Sequence, residues 1–256
     1  MAAAHNETKK TEKIVVWFSC GAASAVAAIK AFEIYGSTHE IIIANNPIAE
    51  EDTDNIRFKK DIAHFLSVDI TEVKNRNYPQ ASANEIWKKG FMSGPRGAPC
   101  TSKLKIEARR QWQEEHKPDY HILGFTMDEE SRSDDFIERA NDINVIPILI
   151  DLKITKADCY QIIQELGIEL PRVYKMGYPN ANCIGCVKAT SPTYWNHVRN
   201  CHPDVFEERS ALSRQIGCRL VRVNGKRIFL DELDPTAEGA PLKNMDFECG
   251  IFCQGN

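Results

Sequence analysis

Short apolar runs alternate with longer helix-like segments through the first two thirds of the chain, and this alternation constrains the fold more than any other feature. The runs KIVVWF, EIIIAN, DYHILGF and NVIPILIDL have the apolar, β-branched composition of buried strands. Helix-like segments such as ASAVAAIKAFEIYG and EDTDNIRFKKDIAHFL separate them. Strands that alternate with helices form parallel sheets covered on both faces. The sequence therefore predicts an α/β fold with a mostly parallel, doubly wound sheet.

The segment TKADCYQIIQELG carries its own helix start and stop signals. Thr155 precedes Asp158 by three residues, a spacing that resembles a capping box with Asp in place of the more usual Glu. Gly167 follows the last periodic residue, where glycine commonly ends a helix. We therefore expect a helix between these two signals.

The pattern changes near Gly177, where loops, cysteines and shorter segments replace the regular alternation. SPTYWNHVRN and PDVFEERSALSRQIG predict two helices, and RLVRVNGKRIFL predicts a hairpin whose Asn-Gly pair favours a type I′ turn. We expect a flexible tail at residues 1–12, a main domain at residues 13–176, and a smaller cysteine-containing C-terminal subdomain with a tail at residues 177–256.

Charge and hydropathy disfavour two broad classes of function. The 256 residues carry a formal net charge of −4, so the chain lacks the overall basic character typical of nucleic-acid-binding proteins. No apolar run approaches the roughly 20 residues that a membrane-spanning helix needs. The N-terminal stretch MAAAHNETKKTEK has no apolar core of the signal-peptide kind. We therefore expect a cytoplasmic protein with no membrane partner.

The stretch FSCGAASAV joins the first predicted strand to the first predicted helix and consists mainly of small residues. At such a junction the first-turn N–H groups and the positive end of the helix dipole can hold an anion. Small side chains let a phosphate approach the backbone, and serine hydroxyls add donors. We predict a phosphate cradle formed by Ser19, Gly21, Ala22 and Ser24. The alternative is a tight turn whose small residues serve only helix–sheet packing.

Several segments, taken in order, resemble the phosphoadenylyl-sulfate (PAPS) reductase family of the adenine nucleotide alpha-hydrolase superfamily, whose members share a pyrophosphate (PP) loop. SCGAASAV resembles that loop, and NNPIAEEDTDNIRF resembles the segment on the adenine side. PCTSKLKIEARRQW, LGFTMDEESRSDDF and the passage from PILIDL to CIGC resemble further family motifs, and FECGIFC resembles the catalytic Glu-Cys-Gly tail. The resemblance covers most of residues 13–190 plus the tail. It implies the superfamily's α/β fold and an adenine nucleotide as ligand.

The resemblance also implies site residues beyond the loop. It adds Asn45, Gly124 and Arg132 to the nucleotide-binding residues. In the reductases the tail cysteine attacks the sulfur of bound adenylyl sulfate, and Cys249 matches that catalytic nucleophile here. Phe252 replaces the histidine usual in that tail. The alternative is therefore that the two tail cysteines are metal ligands.

Nine cysteines in a chain expected to be cytoplasmic favour metal or thiol chemistry over a disulfide framework. Cys183 and Cys186 form a Cys-x-x-Cys pair, whose thiolates can chelate one metal or one edge of a cluster. A redox pair or chance spacing is the alternative. The resemblance adds Cys100 as a third ligand, and Cys253 in the tail is a candidate fourth. It favours a 4Fe-4S cluster, with a structural zinc as the competing metal.

Three functions remain open. The reductases carry arginines just after the glycine at the strand end, where this chain has Thr126 and Met127, although Arg139, Lys105 and Arg109 offer other cations. This difference favours an ATP pyrophosphatase-type enzyme that adenylates a substrate for iron–sulfur-dependent sulfur transfer, with Mg²⁺ accompanying ATP. The alternatives are a thiol-dependent reductase of phosphoadenylyl sulfate or adenylyl sulfate, and a non-catalytic nucleotide-binding module with a structural zinc. The candidate partners are an adenine nucleotide, a sulfur or thiol donor, a nucleic-acid acceptor and a second copy of the chain.

Overall fold

The computed structural model describes residues 11–94, 97–140 and 142–244. The strands of its main sheet are β1 (Lys13–Phe18), β2 (Glu40–Asn45), β3 (Ile70–Glu72), β4 (Tyr120–Ile122) and β5 (Val145–Ile146). They form one five-stranded sheet in the order β3-β2-β1-β4-β5, and every pairing is parallel. The predicted parallel α/β fold is confirmed.

Helices connect these strands and continue beyond them. They are α1 (Ala22–Tyr35), α2 (Asp54–Leu66), α3 (Ala83–Trp87), α4 (Glu107–His116), α5 (Glu130–Arg139), α6 (Ile148–Asp151), α7 (Lys156–Glu165), α8 (Arg172–Lys175), α9 (Pro192–Cys201) and α10 (Pro203–Ile216). A π-helical segment, Thr101–Ile106, leads directly into α4. A separate hairpin consists of β6 (Val221–Val223) and β7 (Lys226–Ile228).

Helices cover both faces of the sheet because β1 is apolar on both of its sides. On one face, Val16 and Phe18 pack into a cluster with residues of α1, α2 and α7. On the other face, Trp17 packs in a cluster with Ala108 and Trp112 of α4. This two-sided burial places β1 at the centre of the fold, and the loop that follows it is therefore anchored on a rigid element.

A further hydrophobic cluster holds the C-terminal segment. It contains Tyr194 and Trp195 of α9, but it also includes Trp87 of α3 and other residues of the 48–104 region. The C-terminal segment therefore shares its core with earlier parts of the chain. The boundary after residue 176 stays a prediction, and residues 1–10 of the predicted N-terminal tail lie outside the described part.

Two local predictions are confirmed in atomic detail. The Thr155 hydroxyl accepts a hydrogen bond from the Asp158 backbone at 3.2 Å, and the Asp158 carboxylate accepts one from the Thr155 backbone at 2.8 Å. The hairpin turns at Asn224 and Gly225, both with positive φ of 49° and 79°, as a type I′ turn requires. Both features depend only on residues close together in sequence.

The prediction of one strand over NVIPILIDL is wrong. β5 ends at Ile146, and helix α6 begins at Ile148. Pro147 stands between them and has no N–H to donate to a neighbouring strand, so the ladder stops there. The short strand β3 is an addition that the sequence pattern did not indicate, since ITE has too few apolar residues to mark it.

Among the described residues, no helix is both long enough and apolar enough to cross a membrane.

Candidate active site

The main cleft opens at the carboxyl ends of β1 and β4. β1 and β4 are neighbours in the sheet, and the later strands add outward from them in opposite directions, from β1 to β2 on one side and from β4 to β5 on the other. The strand order therefore reverses between β1 and β4. Open parallel sheets bind ligands at such a position. The cleft has a volume of about 270 Å³ and is lined by the loop after β1, the loop after β4, the π-helical segment and residues 180–182.

The loop after β1 is held in shape by its own serines. The Ser24 hydroxyl accepts from the Ser19 backbone at 3.1 Å and from the Ser19 hydroxyl at 3.2 Å, and it donates to the Gly21 carbonyl at 2.9 Å. Ser24 is only 4% exposed, whereas Ser19 is exposed. Ser24 therefore closes the loop from within, and Ser19 is the serine that can reach a ligand.

Three of the four predicted cradle residues line the cleft, namely Ser19, Gly21 and Ser24. Ala22 is buried, with 2% exposure, and does not line the cleft. Its backbone N–H instead donates to the Tyr174 hydroxyl at 3.2 Å. The contribution of Ala22 to the site is therefore its position as the first residue of α1.

Tyr174 is a cleft residue that the sequence did not indicate. It lies on α8, 152 residues from Ala22 in sequence, and its hydroxyl is 3.3 Å from the position that a Cβ on Gly21 would take. Its ring packs edge-on against Tyr160, with centroids 5.1 Å apart. A polar oxygen thus lies at the N-terminus of α1, where an anion is expected. No local signal marks a tyrosine for this role.

Gly124, one of the predicted nucleotide-binding residues, lines the cleft, and its lack of a side chain has a specific structural reason. A Cβ at this position would lie 2.7 Å from the Ser24 nitrogen and 2.9 Å from its Cα. Any larger residue would push the end of β4 away from the first turn of α1. Gly124 therefore fixes the width of the cleft at its base.

The two neighbouring asparagines after β2 take different places. Asn45, the predicted binding residue, does not line the cleft; its amide donates to the Phe18 carbonyl at 2.9 Å and so braces the end of β1 from behind. Asn46 lines the cleft, and its amide donates to the carbonyls of Val73 at 2.6 Å and Leu104 at 3.0 Å. Successive residues in an extended chain face opposite ways, so a shift of one residue exchanges these roles.

Positive side chains outnumber negative ones around the cleft. Arg132, a predicted nucleotide-binding residue, is among them, and it pairs with Glu129 at 2.6 Å. Lys105 lies 3.6 Å from Glu51, and both side chains are nearly buried. The charged lining residues are Lys105, Arg109, Arg132, Arg139 and Lys156 on the basic side and Glu51, Glu129 and Asp142 on the acidic side. The cleft is therefore suited to a ligand that brings several negative charges.

Burial changes the proton affinity of several groups around the cleft. It raises the pKa of Glu51, although the nearby Lys105 ammonium opposes this shift. It lowers the pKa of Arg109 to about 10, and this guanidinium still carries its charge near neutral pH. It also raises the pKa of Cys20, directly behind the loop, far above its ordinary value. Cys20 is therefore a structural thiol and not a nucleophile.

The polar residues after Gly124 form hydrogen bonds that shape the chain ahead of α5 and at the start of α7. The Thr126 backbone and hydroxyl both donate to the Glu129 carboxylate at 3.3 Å, which closes a short turn ahead of α5. The Asp128 carboxylate accepts from the Lys156 backbone at 2.8 Å, at the start of α7. The Glu129 carboxylate also holds Arg132. The guanidinium groups that reach the cleft from this side, those of Arg132 and Arg139, therefore come from α5 and not from the residues directly after the strand.

The Cys-x-x-Cys pair adjoins the cleft but is buried. Cys183 and Cys186 are 8% and 6% exposed and belong to the C-terminal hydrophobic cluster, with Cys100 packed against it. Asn182, next in sequence to Cys183, lines the cleft. Within residues 11–94, 97–140 and 142–244, no group of three or more His, Cys, Asp or Glu side chains is arranged to hold a metal ion. The described ligands therefore do not by themselves fit a zinc or cluster centre.

Cys249 and Cys253, the predicted nucleophile and the candidate fourth ligand, lie outside the described residues. Their roles stay predictions.

A sequence profile of the phosphoadenosine phosphosulfate reductase domain matches residues 13–192 of the chain. Among solved structures, phosphoadenylyl-sulfate (PAPS) reductase from Candida auris, in a phosphate complex, has a TM-score of 0.49 and 11% sequence identity, over 69% of this chain and 82% of that one. The U34-tRNA thiolase NcsA from Methanococcus maripaludis, with its 4Fe-4S cluster, has a TM-score of 0.49 and 16% identity, over 95% of this chain and 84% of that one. A search of curated proteins finds no match.

Proposed function

The chain belongs to the phosphoadenosine phosphosulfate reductase domain family, and from that premise we propose that it is an enzyme that activates an acceptor with MgATP. An acceptor oxygen attacks the α-phosphorus, the bond to pyrophosphate breaks, and a sulfur nucleophile then displaces AMP from the adenylylated carbon. One observation carries the proposal: a serine-closed loop at the strand-order reversal opens into a cleft with a surplus of positive side chains.

The loop and the cleft cations have distinct tasks in this reaction. The first-turn N–H groups and the dipole of α1 hold the phosphates, because they present partial positive charge without a competing side chain. Lys105 and Arg132 are kept in place by ion pairs with Glu51 and Glu129. A triphosphate offers them a stronger anionic partner, and they stabilise the charge that develops on departing pyrophosphate.

The segment after β4 favours adenylation over sulfate reduction. Thr126 is 1% exposed and bonded to Glu129, so this position supplies no cation for a sulfate group. Mg²⁺ accompanies ATP as part of the substrate and offsets part of the charge on its phosphates, so ATP binding does not depend on a cation at this position.

A specific observation keeps the reductase as a second candidate. Arg109 and Arg139 both line the cleft, and they supply guanidinium groups suited to a sulfate even though they come from α4 and α5. In this case Cys249 would attack the sulfur of adenylyl sulfate or phosphoadenylyl sulfate, form an S–S bond to the sulfonate and release the adenosine phosphate. A thiol would then release sulfite by taking the place of the sulfonate on sulfur.

Product analysis separates these functions. The purified chain is incubated with radiolabelled ATP, Mg²⁺, sulfide as the sulfur donor and candidate acceptors that include tRNA, and separately with labelled adenylyl sulfate or phosphoadenylyl sulfate plus a thiol. Pyrophosphate and AMP that form only when acceptor is present support adenylation, whereas sulfite supports the reductase. Nucleotide binding without turnover on any substrate would contradict both and favour a binding module.

A metal centre is a separate part of the proposal, and the adenylation step above does not use it. Cys183 and Cys186 beside the cleft rim, with Cys100 and a cysteine of the tail, are the proposed ligands. Protein purified without oxygen is expected to contain about four irons per chain and to lose them in Cys183→Ser, because a thiolate ligand is replaced by a poor one. Cys159→Ser, at a fully buried cysteine of α7, is the control and should keep its metal. One zinc per chain would indicate the structural metal, and metal-free wild-type protein would contradict this part.

A further inference from the structure

The hairpin of β6 and β7 concentrates positive charge on a chain that is acidic as a whole. Residues 217–230 include basic residues and no acidic one, although the whole chain has a formal net charge of −4. The basic residues of this segment are Arg219, Arg222, Lys226 and Arg227, and all four are exposed. The residues that line the cleft all lie outside this segment. The hairpin is therefore a charged surface that the proposed nucleotide chemistry does not use.

Two of the arginines lie directly opposite each other across the hairpin. The register pairs Arg222 of β6 with Arg227 of β7. The Arg222 N–H donates to the Thr190 carbonyl at 2.8 Å and so points away from β7, which makes this the closer, non-hydrogen-bonded type of cross-strand pair. Like charges that face each other in this way destabilise a sheet. The stability of the hairpin alone therefore does not explain the pair.

The first acidic residues after the hairpin pair with a different arginine. Asp231 and Glu232 lie 2.6 and 3.1 Å from the Arg214 guanidinium of α10. Within the part of the chain that the structure describes, the four basic residues of the hairpin segment form no ion pair. The Arg227 guanidinium donates to the Leu220 carbonyl at 2.8 Å, and a guanidinium has several N–H groups, so it keeps donors for a second acceptor.

One face of the hairpin is fixed against the protein, and the other is open to solvent. Val221 is fully buried, and Val223 packs against the C-terminal hydrophobic cluster. Successive side chains of a strand point to opposite faces, so Arg222 and its partner Arg227 lie on the outer face. The hairpin therefore presents an arginine-bearing face to a partner and does not project as a free ribbon.

An aromatic ring on the same face is covered by arginines. Phe229 follows Arg227 by two residues and so shares its face. It is 8% exposed, because the guanidinium groups of Arg214 and Arg219 lie over the ring, 3.8 and 5.0 Å from its centroid. Phe229 therefore supports the arginine side chains and is not available for stacking on a ligand.

We propose that this outer face of the hairpin binds the phosphate backbone of a nucleic-acid duplex. Arginine forks match the paired oxygens of a phosphate and bind them in a bidentate manner. Proteins that bind single strands use exposed aromatic rings on which the bases stack, whereas a duplex keeps its bases inside and presents its phosphates. Exposed arginines around a covered Phe229 therefore favour a duplex. Phosphate contacts carry no sequence information, so the binding is not sequence-specific.

Fluorescence anisotropy tests this surface with the full-length protein and a labelled duplex of about 20 base pairs and mixed sequence, made once as DNA and once as RNA. The wild type should bind both duplexes in the micromolar range. The double variant Arg222→Gln/Arg227→Gln should bind at least about tenfold more weakly. Each lost phosphate contact lowers the salt dependence of log affinity by roughly 0.9 for DNA, so the double variant should lose about two from that slope.

A control variant separates the hairpin from the overall charge of the protein. Lys60→Gln/Lys153→Gln removes the same two charges at exposed positions elsewhere on the chain and should bind within about twofold of the wild type. Arg222→Gln is a second hairpin variant, at an exposed side chain with no hydrogen bond to the described residues, so it should keep the fold. It should lose about one from the salt slope.

Three results would overturn the proposal. The first is that the wild type binds neither duplex, and the second is an equal loss of affinity in the hairpin and lysine double variants, which would reduce the effect to net charge. The third is tighter binding of a single strand of the same sequence than of the duplex. None of these results bears on the nucleotide proposal, because ATP binding is measured without nucleic acid.

Discussion

Gly21 is the residue at which the phosphate cradle can be tested most directly. Its backbone has φ −92° and ψ 158°, a conformation open to any residue, so a side chain does not strain the chain. A valine would instead project toward the Tyr174 hydroxyl and fill the space in front of α1. We expect Gly21→Val to lower ATP affinity at least about tenfold, or roughly 1.4 kcal/mol, with little change in melting temperature.

The control for Gly21→Val is Glu33→Val, which places the same residue at an exposed position near the far end of α1. Isothermal titration calorimetry should give wild-type affinity for that control. Unchanged ATP affinity in Gly21→Val would remove the loop from the nucleotide site.

Cys20 stores backbone strain beside the cradle. Its φ of 60° lies in the left-handed region, where a residue with a Cβ costs roughly 1 kcal/mol and a β-branched residue costs more. Cys20→Gly relieves that strain but loses a buried thiol, so we expect a change in unfolding free energy within about 1 kcal/mol. Cys20→Val should be destabilising by at least about 1 kcal/mol more than Cys159→Val, which lies in a helix.

Chemical denaturation of the three variants tests this strain. Equal losses in Cys20→Val and Cys159→Val would show that the left-handed backbone at position 20 carries no cost.

At the scale of elements, β1, β4 and α4 meet at a buried histidine. The Trp17 indole of β1 donates to Nδ1 of His121 on β4 at 3.1 Å, and Gln113 of α4 contacts the other ring nitrogen at 3.2 Å. Burial, with a smaller contribution from Arg109, lowers the pKa of His121 from 6.5 to about 4. The ring is therefore neutral when it joins these elements, and Nδ1 is free to accept.

This shift makes the packing of the sheet against α4 sensitive to acid. Between pH 6.5 and about 4 the unfolded chain binds a proton that the folded chain does not, so the free energy of unfolding falls as the pH falls through this window. The loss amounts to about 3 kcal/mol at most, at roughly 1.4 kcal/mol per pH unit. We expect the wild-type protein to lose about 2 kcal/mol more than His121→Gln between pH 7 and 4.5.

Urea denaturation at each pH measures this difference. His64→Gln, at an exposed position on α2, is the control and should keep the wild-type slope. Parallel pH dependences for the wild type and His121→Gln would contradict a buried neutral histidine.

For the molecule as a whole, Arg209 ties the C-terminal helices to earlier parts of the chain. It is 1% exposed, and it donates to Asn84 at 2.6 Å and to the Gly185 carbonyl, between the two paired cysteines, at 3.4 Å. Its guanidinium also lies over the Trp87 ring at 4.5 Å. The side chain of Arg209, on α10, thus joins this helix to α3 and to the turn between Cys183 and Cys186.

Arg209→Ala is therefore expected to be destabilising by about 3 kcal/mol, because it opens a cavity and leaves buried acceptors without a donor. Arg214→Ala removes an arginine from the same helix, but this one forms exposed ion pairs with Asp231 and Glu232 and should cost less than about 1 kcal/mol. Thermal unfolding of both variants measures the two losses of stability and tests this difference. Similar losses in the two variants would show that Arg209 does not hold these segments together.

The sequence by itself determined the features that depend on neighbours along the chain. Apolar runs and helical periodicity predicted β1, β2 and the helices α1 and α2 that follow them. Residue types that favour local hydrogen bonds predicted the capping box at Thr155 and the Asn224–Gly225 turn. The small residues after β1 predicted the loop, since the need for close backbone approach is visible in the residue types themselves. Pro147 marked a real break that the apolar run around it concealed.

Only the tertiary structure decided which distant residues meet. Tyr174 contacts the start of α1 because two segments far apart in sequence pack together. Asn46 lines the cleft instead of Asn45 because successive side chains at the end of β2 point in opposite directions. Gly124 is required by the approach of α1 to β4, since a Cβ there would lie 2.7 Å from the Ser24 nitrogen. Contacts of this kind depend on how elements pack in three dimensions, and a linear pattern of residue types carries no record of that packing.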